Sequence, residues 1–241
     1  ATGTIGRATT AALVARGHQV VCFLRPPGSG QRPDLPDGVE IRFGDVSDPA
    51  SPARDGFQGE RFDAVVSCMA SRTGVARDAW AIDHQAHIHV LEAARVAGVR
   101  QMVLLSAICV QKPRLAFQQA KLAFEAELMR SGLTWSIVRP TAYLKSLSGQ
   151  VERVRAGKPY LIFGDGALTA CKPISDADLA TYLADCLDDP ARHDRILPIG
   201  GPGPAMTPRQ QGEALFDLFG REPKFSRVPP ALLDVIAGAL G

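Results

Sequence analysis

Short apolar runs of four to six residues recur along the first two-thirds of the chain, and between them apolar residues return every three or four positions. Runs of that length bounded by turn residues suit strands covered on both faces, and the longer spacing suits amphipathic helices. Residues 19–24, 39–43, 62–67, 101–106 and 134–138 carry the strand signature. Helices are predicted over 5–16, with Ile5, Ala8, Ala12, Leu13 and Ala15 facing inward and Gly17 as the stop, over 79–97, ending at Gly98, and over 113–130, ending at Gly132. Strands alternating with helices through short loops predict a parallel sheet wound by right-handed crossovers.

After Pro140 the texture changes. A helical stretch at 149–156 leads to a strand at 160–163, a loop at 164–169, a helix at 176–187 and a strand at 195–199. A Gly/Pro-rich joint at 200–204 precedes a last pair of helical segments. The expectation is an α/β protein: a Rossmann-type, doubly wound parallel sheet with a small C-terminal substrate-binding region. The boundary is placed so that 1–141 form the dinucleotide-binding domain. Residues 142–241 then form a mixed α/β region packed on it, as lid or wall of a substrate cleft. No internal repeat is present, and the one low-complexity tract is the polar loop 26–37.

A length of 241 residues with 46% apolar content fits one α/β domain, or one with an appendage, and needs no covalent staples. The net charge of +2 argues against a strongly charged partner such as nucleic acid, but leaves local anion sites open. Cys22, Cys68, Cys109, Cys171 and Cys186 are an odd set without a CxxC pair, which reads as reduced thiols in a cytoplasmic protein. No apolar run approaches the ~18 residues of a membrane span. The chain opens without Met inside a motif that ordinarily follows a strand. The expectation is therefore that a first strand and one more glycine precede Ala1.

That motif, Ala1-Thr2-Gly3-Thr4-Ile5-Gly6-Arg7, has the spacing G-x-x-G-x-x-G if a glycine stands before it. Glycines there permit a tight strand-to-helix turn and let backbone N–H groups approach a pyrophosphate at the helix N-terminus. A ligand-free Gly-rich turn is the plain alternative, but the motif opens a helix and precedes a βαβ pattern. Gly3, Thr4, Ile5, Gly6 and Arg7 are accordingly cofactor candidates. Arg25 closes the next strand, where an acidic residue would bind an NAD ribose; a basic one suits the 2′-phosphate, so NADPH is the expected cofactor. Because such loops gather at the carboxyl ends of parallel strands, Asp45 and Val46 fall near adenine and Met69 and Ala70 along the ribose.

Ser106 ends a strand, and Phe117-Gln118-Gln119-Ala120-Lys121 follows. The arrangement resembles the short-chain dehydrogenase/reductase superfamily, in which a strand-end Ser cooperates with a Tyr-x-x-x-Lys pair. The tyrosine position is Phe117 here, and phenylalanine has no proton to give, so alcohol–ketone interconversion by that route is disfavoured. Lys121 keeps the capacity to hold the nicotinamide ribose. Five histidines, His18, His84, His87, His89 and His193, suggest no metal site; His87 and His89 are two apart on a predicted helix and do not share a face.

Longer blocks carry a narrower likeness: Leu105 to Pro113, Phe117 to Glu127, Val138-Arg139-Pro140-Thr141-Ala142, Lys145 to Gln150, Phe163-Gly164-Asp165-Gly166, Leu168 to Asp176 and Leu197 to Gly203. Together they resemble the NADPH-dependent 3,8-divinyl (proto)chlorophyllide a 8-vinyl reductases, an atypical branch of that superfamily in which Phe replaces the tyrosine. The resemblance implies reduction of a vinyl group conjugated to a tetrapyrrole. The macrocycle spreads the developing charge, so an oxyanion-stabilising tyrosine is dispensable. Pro140 and Thr141 are expected as cofactor contacts and Lys121 and Tyr143 as catalytic residues; the proton must come from a side chain or water, and Tyr143, Cys109 and Lys172 are candidates by loop position. Phe117, Tyr143, Lys145, Phe163 and Lys172 would contact the pigment, aided by Leu144, Leu147, Tyr160 and Lys158. Any magnesium would belong to the substrate. A loose seat on photosynthetic membranes stays open. Two rivals remain: a regulator that senses NADP without turnover, and a reductase of another conjugated molecule, such as a phenolic.

Overall fold

A computed structural model describes residues 1–28 and 33–232 and divides the chain into two compact units. The first comprises Ala1–Arg139 with Asp176–Pro198; the second comprises Pro140–Ser175 with Ile199 onward. The chain thus crosses between units three times, whereas a single cut after residue 141 places 176–198 with the C-terminal region.

In the first unit, β1 (Val21–Leu24) pairs in parallel with β2 (Glu40–Phe43). A four-stranded sheet runs in the order β3 (Ala64–Ser67), β4 (Gln101–Leu105), β5 (Thr134–Pro140) and β7 (Arg195–Ile199). The pairs β3–β4 and β4–β5 are parallel, with Ala64 opposite Gln101 and Gln101 opposite Thr134. Met102, Val103, Leu104, Ile137 and Val138 are buried, as expected for a parallel sheet covered on both faces. The core gathers Leu91, Ala94, Met102, Leu104, Phe124, Leu128 and Ile137. The observed architecture is a Rossmann-type α/β fold.

Helix α1 (Thr4–Ala15) forms where predicted, but its buried stripe is Gly6, Thr9, Thr10 and Leu13, and Ala15 is exposed. The apolar pattern misplaced this face because two threonines hide their hydroxyls inside the helix, Thr9 on the Ile5 carbonyl and Thr10 on the Gly6 carbonyl. The predicted helix 79–97 is three pieces: α2 (Ala76–Ala79), a π-helical turn (Trp80–Ala86) and α3 (His87–Val96). Helix α4 (Ala116–Arg130) starts later than Pro113 because the Gln118 side chain accepts from the Arg114 and Leu115 N–H groups and caps the first turn. Helix α7 (Asp176–Asp188) packs on α1, where Arg16 and Asp185 form an ion pair.

The second unit begins with the short α5 (Leu144–Leu147) and α6 (Val151–Arg155), and carries a parallel pair, β6 (Tyr160–Phe163) with β8 (Phe225–Val228). Val154, Tyr160, Ile162 and Phe216 form its core, the last from α8 (Pro208–Leu218). Thr207 and Gln210 cap α8 reciprocally. Strand β8 stands between the two helical segments expected at the end of the chain, and most of the second of these lies outside the described residues. No helix among the described residues is long and apolar enough to cross a membrane.

Candidate functional site

Helix α1 opens directly from the glycine loop. Its N-cap, Gly3, supplies no capping side chain, and the first turn carries no carboxylate, so nothing of its own neutralises the positive end of the helix dipole. A Cβ at Gly3 would meet nothing within 4 Å, whereas one at Gly6 would stand 2.8 Å from the Ala1 Cα. The loop is therefore open where a pyrophosphate would approach and closed where backbone packs on backbone, a shape that fits a dinucleotide. Thr4 and Ile5 belong to the first turn. Arg7, expected as a phosphate contact, is ion-paired with Asp34 at 2.8 Å, with both side chains well exposed. Arg25 is exposed just past β1. Its charge adds to the hydrogen bonds from Thr73 and Arg72 that hold the Asp78 carboxyl below its usual range.

Past β2, Gly44 is squeezed by Phe23 and Ser51, each of which would lie 2.5 Å from an added Cβ. Asp45 folds its carboxylate back on the Ser47 N–H, and its own N–H donates to Ser51 Oγ. Val46 offers its carbonyl to His89 Nδ1 at 2.9 Å, while His89 Nε2 meets the Gln85 amide at 3.0 Å. The stretch expected near adenine is thus pinned from α3 by His89, whose role the sequence does not reveal.

Past β3 the pinning is tighter. Ser67 Oγ lies 2.9 Å from His87 Nε2, and His87 Nδ1 lies 3.0 Å from the Ile82 carbonyl. Because that carbonyl can only accept, Nδ1 carries the proton and Nε2 accepts from Ser67. Burial lowers the His87 pKa from 6.5 to about 4, aided by the nearby Lys121 charge, so the ring is neutral. Met69 and Ala70 follow, and then Ser71, midway along the loop to α2, whose N–H and hydroxyl both donate to the Asp83 carboxylate. Cys68 donates toward Thr9 of α1 at 3.7 Å, and its thiol is pushed up by burial, so it is not an activated nucleophile.

On α4, Phe117 is half-buried and Lys121, four residues on, shares its face. Lys121 Nζ lies 2.9 Å from Asp83 Oδ1, with side-chain exposures of 10% and 0%. Ser106 is buried, but its hydroxyl donates to Glu125, which also binds Arg139 at the end of β5. Its proton is committed to a network that ties α4 to β4 and β5, a different use from that of a substrate-facing strand-end serine.

In the second unit, Thr141, Tyr143 and Lys172 come together. The Thr141 N–H donates to Ile199 and its hydroxyl to the Lys172 carbonyl, and Tyr143 bridges in parallel to Ile174. Beneath them, a Cβ on Gly201 would lie 1.9 Å from the Pro173 carbonyl oxygen. Pro140 ends β5 next to this platform, and Lys145 is exposed on α5. Phe163 is half-buried at the end of β6, whereas Tyr160, a candidate wall, is buried in the core. Leu147, another candidate wall, lies outside the described side chains. Cys109 is exposed in a 3-10 turn, Ile108–Gln111. Among the described residues no cluster of three or more His, Cys, Asp or Glu could hold a metal ion.

Asp83, His87, Glu125 and Arg139 carry no site role in the sequence pattern, whereas Ser71 belongs to the stretch expected along the ribose. One signal was available: Asp83 and His87 stand four apart on the inward face of a predicted helix, where an acid and an imidazole need a partner.

A family described as NAD(P)H-binding matches residues 1–190. The divinyl chlorophyllide a 8-vinyl-reductase, chloroplastic, of Oryza sativa subsp. indica is 50% identical over 97% of this chain and 61% of its own length. The Zea mays protein of the same name is 48% identical over 100% and 63%. These relatives bear the name of the family that the sequence blocks resemble, and the chain spans little more than three-fifths of their length. Among solved structures, an NADPH-dependent quinone oxidoreductase of Escherichia coli complexed with NADPH superposes with a TM-score of 0.78. It does so at 19% identity, over 100% of this chain and 81% of that one, and shares the fold.

Proposed function

The chain belongs to the NAD(P)H-binding family, and on that premise we propose that it reduces the 8-vinyl group of a divinyl chlorophyllide or protochlorophyllide to ethyl with NADPH. The observation that carries the reading is Phe117 beside an ion-paired Lys121. That pair can hold a nicotinamide ribose, but it offers no phenol to protonate an alkoxide, so the acceptor must spread negative charge itself. A vinyl group conjugated to a tetrapyrrole does. The names of the relatives point the same way.

When bound, NADPH supplies a hydride to one vinyl carbon, and a proton completes the ethyl group at the other. Gly3, Thr4, Ile5 and Gly6 would receive the pyrophosphate on the α1 amides, with Arg7 turning from Asp34 to the phosphates. Arg25 would take the 2′-phosphate and set the preference for NADPH over NADH. Asp45 and Val46 would flank adenine. Met69, Ala70, Ser106, Pro140 and Thr141 would line the nicotinamide half, with Lys121 donating to the ribose. Tyr143 is proposed as the proton source, and Phe117, Lys145, Phe163 and Lys172 as pigment contacts, the lysines suiting propionate carboxylates.

The test is to mix the chain with NADPH and divinyl chlorophyllide or protochlorophyllide and follow the Soret band, with NADH as a parallel arm. A blue shift to the monovinyl spectrum is expected with NADPH, at least about tenfold faster than with NADH, a difference of about 1.4 kcal/mol. The Arg25→Gln variant should lose most of that preference. Tight NADPH binding without a pigment shift would replace the reductase by a nucleotide sensor.

A further inference from the structure

We propose that Asp83 is a positioning residue: from the π-helical turn Trp80–Ala86 it holds Lys121 and the loop 68–71 in one fixed arrangement for the cofactor ribose. The inference rests on the proposed cofactor site and goes beyond it, because it concerns what aims the lysine.

A fully buried carboxylate is unfavourable unless its partners are close and its oxygens are filled. Asp83 meets that demand with three groups from two elements: Lys121 Nζ at 2.9 Å, the Ser71 N–H at 3.3 Å and the Ser71 hydroxyl. Those groups come from α4 and from the loop that follows β3, so the carboxylate is the joint between them. Ser67, the last residue of β3, is held by His87, the first residue of α3, whose other ring nitrogen is tied back to Ile82 of the turn. Single π turns are rare and frequent at functional sites. This one turns the Ile82 carbonyl toward the His87 ring while Asp83 faces inward.

An ammonium has three hydrogens. Asp83 takes one, which fixes the direction of the other two; on a flexible four-carbon stem they would otherwise sample many directions. With Phe117 four residues earlier there is no phenol whose acidity Lys121 could tune. Donation to a ribose hydroxyl is then its remaining chemical use, and direction matters more than charge. Balancing the buried charge of Lys121 would require only a carboxylate somewhere near, not one that also binds the loop after β3 through Ser71.

The experiment measures NADPH affinity by the fluorescence of the bound nucleotide, with no pigment present, for wild type, Asp83→Asn, Lys121→Met and the double variant. Asp83→Asn is expected to raise the Kd at least about tenfold, and to change it less than about twofold in the Lys121→Met background, since residues acting as a unit are non-additive. An equal loss in both backgrounds, or no loss in either, overturns the proposal. Asp83→Glu, which keeps the charge but moves the carboxylate by one methylene, guards against a variant that fails to fold. It should weaken NADPH binding several-fold, and an unchanged Kd would mean charge balance alone. A wild type that binds NADPH but leaves the pigment untouched would remove the proposed reaction without touching this result.

Discussion

His87 donates to Ile82, accepts from Ser67 and is 1% exposed, so protonating it would bury a charge beside Lys121 and force the Ser67 bond to reverse. Its folded pKa of about 4 lies below the 6.5 of the free side chain. The unfolded chain therefore takes up the proton first as pH falls, and the stability this ring contributes is present above about pH 6.5. It is lost on the way down to about pH 4, for a total of about 3 kcal/mol. Neighbouring charges are Lys121, Asp83 and His84, and only Asp83 favours the protonated ring. Urea unfolding of the apo-protein should show a loss of about 2–3 kcal/mol between about pH 7 and pH 4.5 that His87→Gln does not share, since glutamine can accept and donate without titrating. Parallel pH profiles for the two proteins would refute a neutral buried imidazole.

Among the elements, the strands of the first unit were legible because a parallel sheet covered on both faces must be written in apolar runs, and the β4 stretch coincides with its prediction nearly to the residue. Helix faces were less legible: Thr9 and Thr10 read as polar, yet they bury by bonding their own helix. The π turn Trp80–Ala86 has no mark in the apolar pattern; inward contacts are made by Asp83 within it and by His87 just after it. The glycine loop was legible as a motif, and the structure separates what each glycine does. Gly3 has a negative φ of −73° and open space above it, so Gly3→Ala should fold with an unchanged melting temperature. The methyl would then occupy the space proposed for the pyrophosphate and should weaken NADPH binding about tenfold or more, about 1.4 kcal/mol. Gly201→Ala is the opposite case. Its methyl meets the Pro173 carbonyl oxygen, which cannot move without shifting the Thr141–Tyr143–Lys172 platform. It should cost about 1–3 kcal/mol in a thermal or urea melt. Loss of folding in Gly3→Ala, or none in Gly201→Ala, would contradict this division of labour.

For the whole molecule, the sequence placed the proposed cofactor contacts on loops far apart in the chain, and the fold gives a reason for them to act together. Gly3, Arg25, Asp45 and Met69 each follow or open a β–α junction in the first unit. In parallel α/β sheets those junctions gather outside the carboxyl ends of the strands. The networks that hold the loops after β2 and β3, Val46 by His89, Ser67 by His87 and Ser71 by Asp83, all lead back to the stretch from Trp80 through α3. Ligand binding to the native state adds stability of about 2.7 kcal/mol at a hundredfold excess over Kd. Where a tied network bears the ligand, that gain should spread through the ties. Hydrogen exchange with and without saturating NADPH should therefore slow amides in 3–7, 45–47, 67–71 and 80–90 together. The pair β6–β8 and helix α8, which belong to the second unit and its own core, should exchange unchanged. Protection confined to the glycine loop would mean that the turn 80–86 is architecture alone. Protection strongest in 205–228 would place the nucleotide elsewhere and undo the assignment of all four loops.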